Sequence, residues 1–145
     1  MRARAALGVI VGALLVVRSG DAQVDLSPRV PPAERAVARS LPNPLAASGE
    51  NVERGRALYH GKGFCSACHG ADGRGLGADV DTARLRGAVP RDLTDPVWQR
   101  ARSDGELFWI LRNGSEGTAM GAFVPLVLSE GEAWQVILYV RSLAR

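Results

Sequence analysis

Two segments near the end of the chain repeat apolar residues at helical spacing, and each begins with a capping box. The last segment predicts a helix over 129–144, with a buried face of four residues: Ala133, Val136, Ile137 and Val140. The other segment opens with Ser103–Glu106 and stops before Gly114. Its expected buried stripe consists of three residues: Leu107, Ile110 and Leu111.

A further helix is predicted over 51–59, because Val52, Gly55 and Tyr59 would share one of its faces. The glycines between positions 70 and 87 predict a loop, and residues 115–128 predict another. No stretch has a convincing strand pattern. The sequence therefore predicts an all-α fold, with three to five short helices joined by long loops.

The first 22 residues have the layout of a secretory signal peptide. Basic residues at the start precede an uncharged apolar run, Ala5–Val17, and small residues follow at Gly20 and Ala22. The run is shorter than the about 20 apolar residues that cross a membrane. An uncleaved anchor is the alternative, because Asp21 makes the cleavage site imperfect. We expect a periplasmic protein that contacts a membrane only if this segment is retained.

The remaining chain divides into an arm and a domain. Residues 23–48 contain five prolines among small and polar residues, which predicts a loosely packed linker. The compact domain is expected over 49–145, which is long enough for one modest core.

The net charge of +3 gives no reason to expect a nucleic-acid partner. Three of the 18 basic residues and one of the 15 acidic residues fall within 1–22, so the rest of the chain is nearly balanced. One local excess consists of five arginines: Arg84, Arg86, Arg91, Arg100 and Arg102. Most of them are expected on a solvated surface, and one or two could pair with carboxylates of a cofactor.

The sequence Cys65-Ser66-Ala67-Cys68-His69 is the motif that carries chemistry. The pattern C-x-x-C-H is typical of c-type haem attachment. Two thiols at this spacing can each add to one haem vinyl group, and the following imidazole can bind the iron. We therefore expect one covalent haem c, attached through Cys65 and Cys68 and ligated by His69.

Three alternatives to haem attachment fit the sequence less well. A thioredoxin-like redox pair would need a βαβ pattern around it, and none is visible. A structural zinc site takes four ligands, and adjacent Cys68 and His69 are poorly placed to bind one metal. A disulfide across two residues would close too small a loop to stabilise the fold much.

The sixth ligand of the iron has two candidates in the domain, His60 and Met120. His60 ends the helix that leads to the motif, from which it would not reach the other face of the ring. Met120 lies in the loop 115–128, which could cross that face. A thioether is a soft ligand suited to iron, and His/Met ligation raises the reduction potential.

The domain resembles the monohaem cytochromes c of the mitochondrial and bacterial electron-carrier type. The likeness is carried by Cys65–Gly70 and Gly117–Phe123. Four further residues also match: Gly55 and Tyr59 in the first helix, and Val136 and Tyr139 in the last. It implies a small cytochrome c fold, in which these two helices cross closely at a glycine. It also implies His69 and Met120 as the axial ligands.

Two positions depart from the pattern of that family. Gly121 stands where a proline often follows the ligand methionine. Pro90 is similar to the proline whose carbonyl holds the haem histidine, although one extra residue separates it from Leu93. The resemblance implies that Pro90 holds the second nitrogen of His69.

The expected function is electron transfer, with transient docking to a redox protein donor and acceptor. One alternative is a permanent electron-transfer subunit of a larger dehydrogenase or oxidase, for which the arm 23–48 could serve docking. Another is an enzyme with an open haem face, although no acid–base pair is well placed to serve it. The prediction is an electron carrier and not an enzyme.

Overall fold

A computed structural model of the protein describes residues 25–76 and 87–144. These residues form six helices and no strand: α1 (Pro32–Ser40), α2 (Gly49–His60), α3 (Cys65–His69), α4 (Pro96–Ala101), α5 (Asp104–Asn113) and α6 (Glu130–Ser142). The all-α prediction is confirmed. There is one helix more than expected, because the arm contributes α1.

The first and last helices of the domain cross at Gly55. A Cβ built on Gly55 would collide with the backbone carbonyl of Gln135, so only glycine allows α2 and α6 to approach this closely. Tyr59, fully buried, stacks edge-on against Tyr139 with ring centroids 5.1 Å apart. This crossing forms one wall of the core.

Both capping boxes are present at the starts of α5 and α6. The predicted face of α6 is buried as expected: Ala133, Val136, Ile137 and Val140. In α5 the predicted buried stripe is confirmed only at Leu111. Phe108 is buried as well, while Leu107 and Ile110 are half-buried. The ring of Phe108 stacks on Trp134 with centroids 4.2 Å apart, which joins α5 to α6.

The prolines of the arm predict an irregular segment, but part of the arm is helical. Pro32 occupies the first turn of α1, where its missing N–H costs no hydrogen bond. The end of α1 packs against α5 so closely that a Cβ on Gly105 would collide with the carbonyl of Ala38. Glu34 also accepts a hydrogen bond of 2.7 Å from the indole of Trp109. A helix therefore docks where the sequence predicts a linker. The division of the chain into 1–22, 23–48 and 49–145 stays a prediction.

Buried Gln99 ties three parts of the domain together. Its amide donates to the carbonyls of Leu93 and Val140, at 2.7 and 2.8 Å. Its side-chain oxygen accepts from Arg141, which also binds Asp104 at 2.6 Å. The loop before α4 is thereby fixed to α6.

The predicted signal segment 1–22 lies outside the described residues. Among the residues that the structure does describe, none of the helices has the length and hydropathy needed to span a bilayer.

Candidate functional site

The short helix α3 presents the cysteine motif. Phe64 precedes it in the left-handed backbone region, with φ of 52°, and α3 starts after a link of four residues from the end of α2. Both cysteines are free thiols, with Cys65 half-buried and Cys68 exposed. Burial raises the pKa of Cys65 to about 11, so its thiol is protonated at neutral pH. Neither sulfur is in a disulfide, so both are available for attachment.

His69 is oriented by the backbone of Arg91. Its Nδ1 lies 3.0 Å from the carbonyl oxygen of Arg91. Because a carbonyl only accepts hydrogen bonds, Nδ1 carries the proton and Nε2 keeps a free lone pair. Burial lowers the pKa of His69, which favours this neutral form, while the bond to Arg91 opposes the shift. The imidazole is thus prepared to bind a metal through Nε2.

The role assigned to Pro90 belongs to the next residue. The hydrogen-bond acceptor of His69 is Arg91, whereas the carbonyl of Pro90 faces Gly75. The register is fixed by Leu93, which is buried and donates its N–H to Gly73. Arg91 stands two residues before Leu93, so the extra residue in this loop moves the accepting carbonyl from Pro90 to Arg91. Pro90 itself lines the cavity described below.

Met120 is held by a compact loop that follows α5. Its N–H is 3.1 Å from the hydroxyl of Thr118, and its carbonyl accepts from Ser115 at 2.9 Å. Gly87, with φ of 82°, packs against the backbone of this loop. Met120 is half-buried against the core, and its position is therefore fixed locally on both sides.

His69, both cysteines and Met120 line a single cavity. Most of its other walls are apolar and come from the loop before α4, from α4, α5 and α6, and from the Met120 loop: Leu93, Trp98, Leu107, Ile110, Leu111, Phe123, Val136, Ile137 and Val140. Leu107 and Ile110 also line this space, and both are half-buried. A flat apolar cofactor with a central metal fits such a cavity.

Sequence reasoning missed the contribution of the arm to this cavity. Ser27, Arg29 and Val30 line it, and Val30 is only 2% exposed. Arg102 holds this stretch through the carbonyls of Leu26 and Ser27, at 2.6 and 2.9 Å. No motif in residues 23–48 signals this arrangement, because it depends on long-range contacts.

The remaining residues that the sequence suggested for the site either lie away from the cavity or fall outside the described residues. His60 is exposed at the end of α2, with Nε2 3.3 Å from the hydroxyl of Tyr139. Arg84 and Arg86 lie outside the described residues. Within 25–76 and 87–144, no three side chains of His, Cys, Asp or Glu come together as a metal-binding group.

Residues 50–140 match the sequence family described as cytochrome c oxidase, cbb3-type, subunit III. The chain belongs to this family of cytochrome c domains. It carries covalently bound haem c, which confirms the resemblance and the cofactor prediction. No curated relative matches the chain.

Solved structures support the same fold. A chain of the Kuenenia stuttgartiensis reducing HAO-like protein complex is 28% identical, with a TM-score of 0.61 over 70% of this chain and 47% of that one. Cytochrome cL from Methylophaga aminisulfidivorans is 23% identical, with a TM-score of 0.50, covering 68% and 59% of the two chains. Cytochrome cL from Hyphomicrobium denitrificans is 21% identical, with a TM-score of 0.53, covering 84% and 68%. This chain spans about half the length of the first of these proteins.

The donor set fits haem c. Two unpaired thiols stand beside a neutral imidazole with a free Nε2, and a thioether lines the same apolar cavity. These are the groups that attach a c-type haem and bind its iron.

Proposed function

We propose that this protein is a periplasmic electron carrier with one haem, attached through Cys65 and Cys68 and ligated by His69 and Met120. The observation that carries the proposal is the convergence of these four side chains on one apolar cavity. They come from two segments, α3 and the loop after α5, that are far apart in the sequence.

The bound haem supplies a one-electron ferrous/ferric couple. The protein's part is to keep the ligands in place in both states. His69 is held by the carbonyl of Arg91, and Met120 is held by its bonds to Thr118 and Ser115. Because both ligands are fixed before the electron moves, little reorganisation accompanies its transfer.

The apolar walls exclude water from the iron. Trp98, Leu111 and Ile137 are each less than a tenth exposed and line the cavity. A dry site disfavours the extra positive charge of the ferric state, and a thioether ligand acts in the same direction. We therefore expect a reduction potential in the upper part of the range for haem proteins.

The route for electrons is the apolar rim of the cavity. Phe64 is 71% exposed and Val89 is 57% exposed, and exposed Ala119 lies at the same cavity. This rim supports brief docking of a redox protein donor and acceptor, because small apolar contacts form and separate quickly. Periplasmic location is supported by the pattern of residues 1–22.

A second candidate is a permanent electron-transfer subunit of a larger complex. The family described as an oxidase subunit and the similar chain from the Kuenenia complex favour this alternative. Native mass measurement of the protein taken from its own cell extract separates the two candidates. A stable large assembly supports the subunit, and a monomer supports the free carrier.

The ligand assignment is tested in protein matured by a host that attaches haem c. A ferric His/Met haem has a weak charge-transfer band at the red edge of its spectrum, and Met120→Ala should abolish it. Leu126→Ala is the matched control, because Leu126 lies in the same loop, is 92% exposed and does not line the cavity. A folded Met120→Ala protein that keeps the band contradicts the assignment. Pigment that acid acetone extracts from the unaltered protein contradicts covalent attachment.

A further inference from the structure

The segment 25–40 is bound to the domain by its backbone as well as its side chains. Arg102 donates to the carbonyls of Leu26 and Ser27, and Arg91 donates to the carbonyl of Asp25 at 2.8 Å. Backbone ties of this kind fix where the chain runs, whatever its side chains are. The segment lies before residue 50, where the family match begins.

The tied segment places a cation at the cavity. Arg29 lines it, with its side chain 39% exposed and 3.6 Å from the carboxylate of Asp25. Asp25 interacts with both arginines, because the guanidinium of Arg91 also lies 3.6 Å from its carboxylate. Arg29 is therefore only partly neutralised by its own neighbour.

The charges around this wall do not balance. Among the described residues, three arginines and one acid line the cavity: Arg29, Arg91 and Arg102, with Glu106. Glu106 is paired with Arg39 from α1, with 3.2 Å between Glu106 Oε1 and Arg39 Nε. Burial lowers the pKa of Arg102, and Arg91 and Arg39 act in the same direction, while Glu106 and Asp25 oppose the shift. The excess of two positive charges matches the two propionates of a haem.

We propose that the segment 25–40 is part of the haem site, closing one wall of the cavity and supplying Arg29 as the electrostatic partner of a haem propionate. The inference rests on the proposed function, since it needs the haem in this cavity. It also gives the arm a role other than docking to another protein. The side of α1 that faces α5 is used within the chain, through Ala38, Glu34 and Arg39.

The test is a series of charges at position 29 in the mature haem protein: Arg29→Lys, Arg29→Gln and Arg29→Glu. Each variant is equilibrated with a one-electron mediator dye, and the ratio of ferrous to ferric protein is measured. Without the cation, the propionate charge favours the ferric state more strongly. Arg29→Gln should shift the ratio about threefold to tenfold toward ferric, and Arg29→Glu should shift it further. Arg29→Lys should retain most of the original ratio.

The matched controls are Arg54→Gln and Arg54→Glu. Arg54 lies on α2, is 63% exposed, pairs with Glu50 and does not line the cavity. The same charge changes there should move the ratio little, because solvent screens them. If the position-29 series has no larger effect than the position-54 series, the inference is wrong.

Absorption spectra of the same samples distinguish this failure from failure of the proposed function. Covalent haem and the red-edge band in every variant, without the charge dependence, overturn only the role of Arg29. Protein that lacks covalent haem overturns both proposals.

Discussion

The closest helix contact in the domain gives the sharpest test of the fold. Replacing Gly55 by Ala adds one methyl group at the crossing of α2 and α6. Apart from its collision with the carbonyl oxygen of Gln135, the new carbon would lie 2.6 Å from that carbonyl carbon and 3.0 Å from the Cβ of Tyr139. Two of these atoms belong to the backbone, so no rotamer change relieves the contact.

The cost follows from how far the helices must separate. Carbon atoms pack best about 3.5–4.0 Å apart, so α2 and α6 must move by roughly 1 Å. A gap of that size forfeits between a quarter and a half of the dispersion energy at each affected contact. Overpacking of this kind costs about 1–3 kcal/mol, and we expect the upper end because the obstruction is backbone. The better helix propensity of alanine offsets about 1 kcal/mol of this cost.

The matched control is Gly131→Ala on α6. A Cβ there meets nothing within 4 Å, so the propensity gain is not opposed by strain. Urea unfolding, followed by the helical signal of the haem protein, should show a lower midpoint for Gly55→Ala and an equal or higher one for Gly131→Ala. A Gly55→Ala protein as stable as the unaltered one refutes the described crossing.

Three further substitutions test other parts of the structure by the same unfolding measurement. Gln99→Ala removes the amide that donates to the carbonyls of Leu93 and Val140, of which the Val140 carbonyl still accepts from the N–H of Leu143. It should lower stability by about 1–3 kcal/mol, and an unchanged midpoint would contradict the tie. Arg39→Ala removes the ion-pair partner of Glu106, whose side chain is 2% exposed. It should lower stability by about 2 kcal/mol, less than for a fully buried pair because Arg39 is itself half exposed. The control Arg54→Ala, on the surface, should cost less than half of that. Gly121→Ala should stabilise the protein by about 0.4–1 kcal/mol, because a Cβ at Gly121 meets open space, its φ is not positive, and alanine restricts the unfolded chain. A loss of stability would show that the Met120 loop needs glycine there.

The sequence predicted those parts of the fold whose signals are local. Capping boxes at Ser103 and Ser129 and the apolar period of α6 depend on residues a few positions apart, and all three are present. The cysteine motif is equally local, because its chemistry needs neighbouring side chains. The crossing at Gly55 was expected from the family resemblance, and the structure shows it.

The errors concern contacts between distant segments. The docking of α1 depends on Gly105 and Trp109, more than 60 residues further along the chain, and prolines alone suggested a linker. The hydrogen-bond acceptor of His69 was predicted at Pro90, one residue before Arg91, which provides it. The extra residue in this loop changes which carbonyl faces the imidazole, and the presence of a proline does not reveal that change. In α5 the helical period identified an apolar side, but it did not show that Phe108 is buried while Leu107 and Ile110 stay half-buried beside the cavity.

Arg91 makes two separate interactions, one through its backbone and one through its side chain. Its carbonyl oxygen orients the imidazole of His69, while its guanidinium holds the backbone of Asp25. A change of side chain at this position leaves the carbonyl in place and releases only the arm. The mechanical link between the arm and the imidazole can therefore be cut without removing the hydrogen bond that aligns the ring.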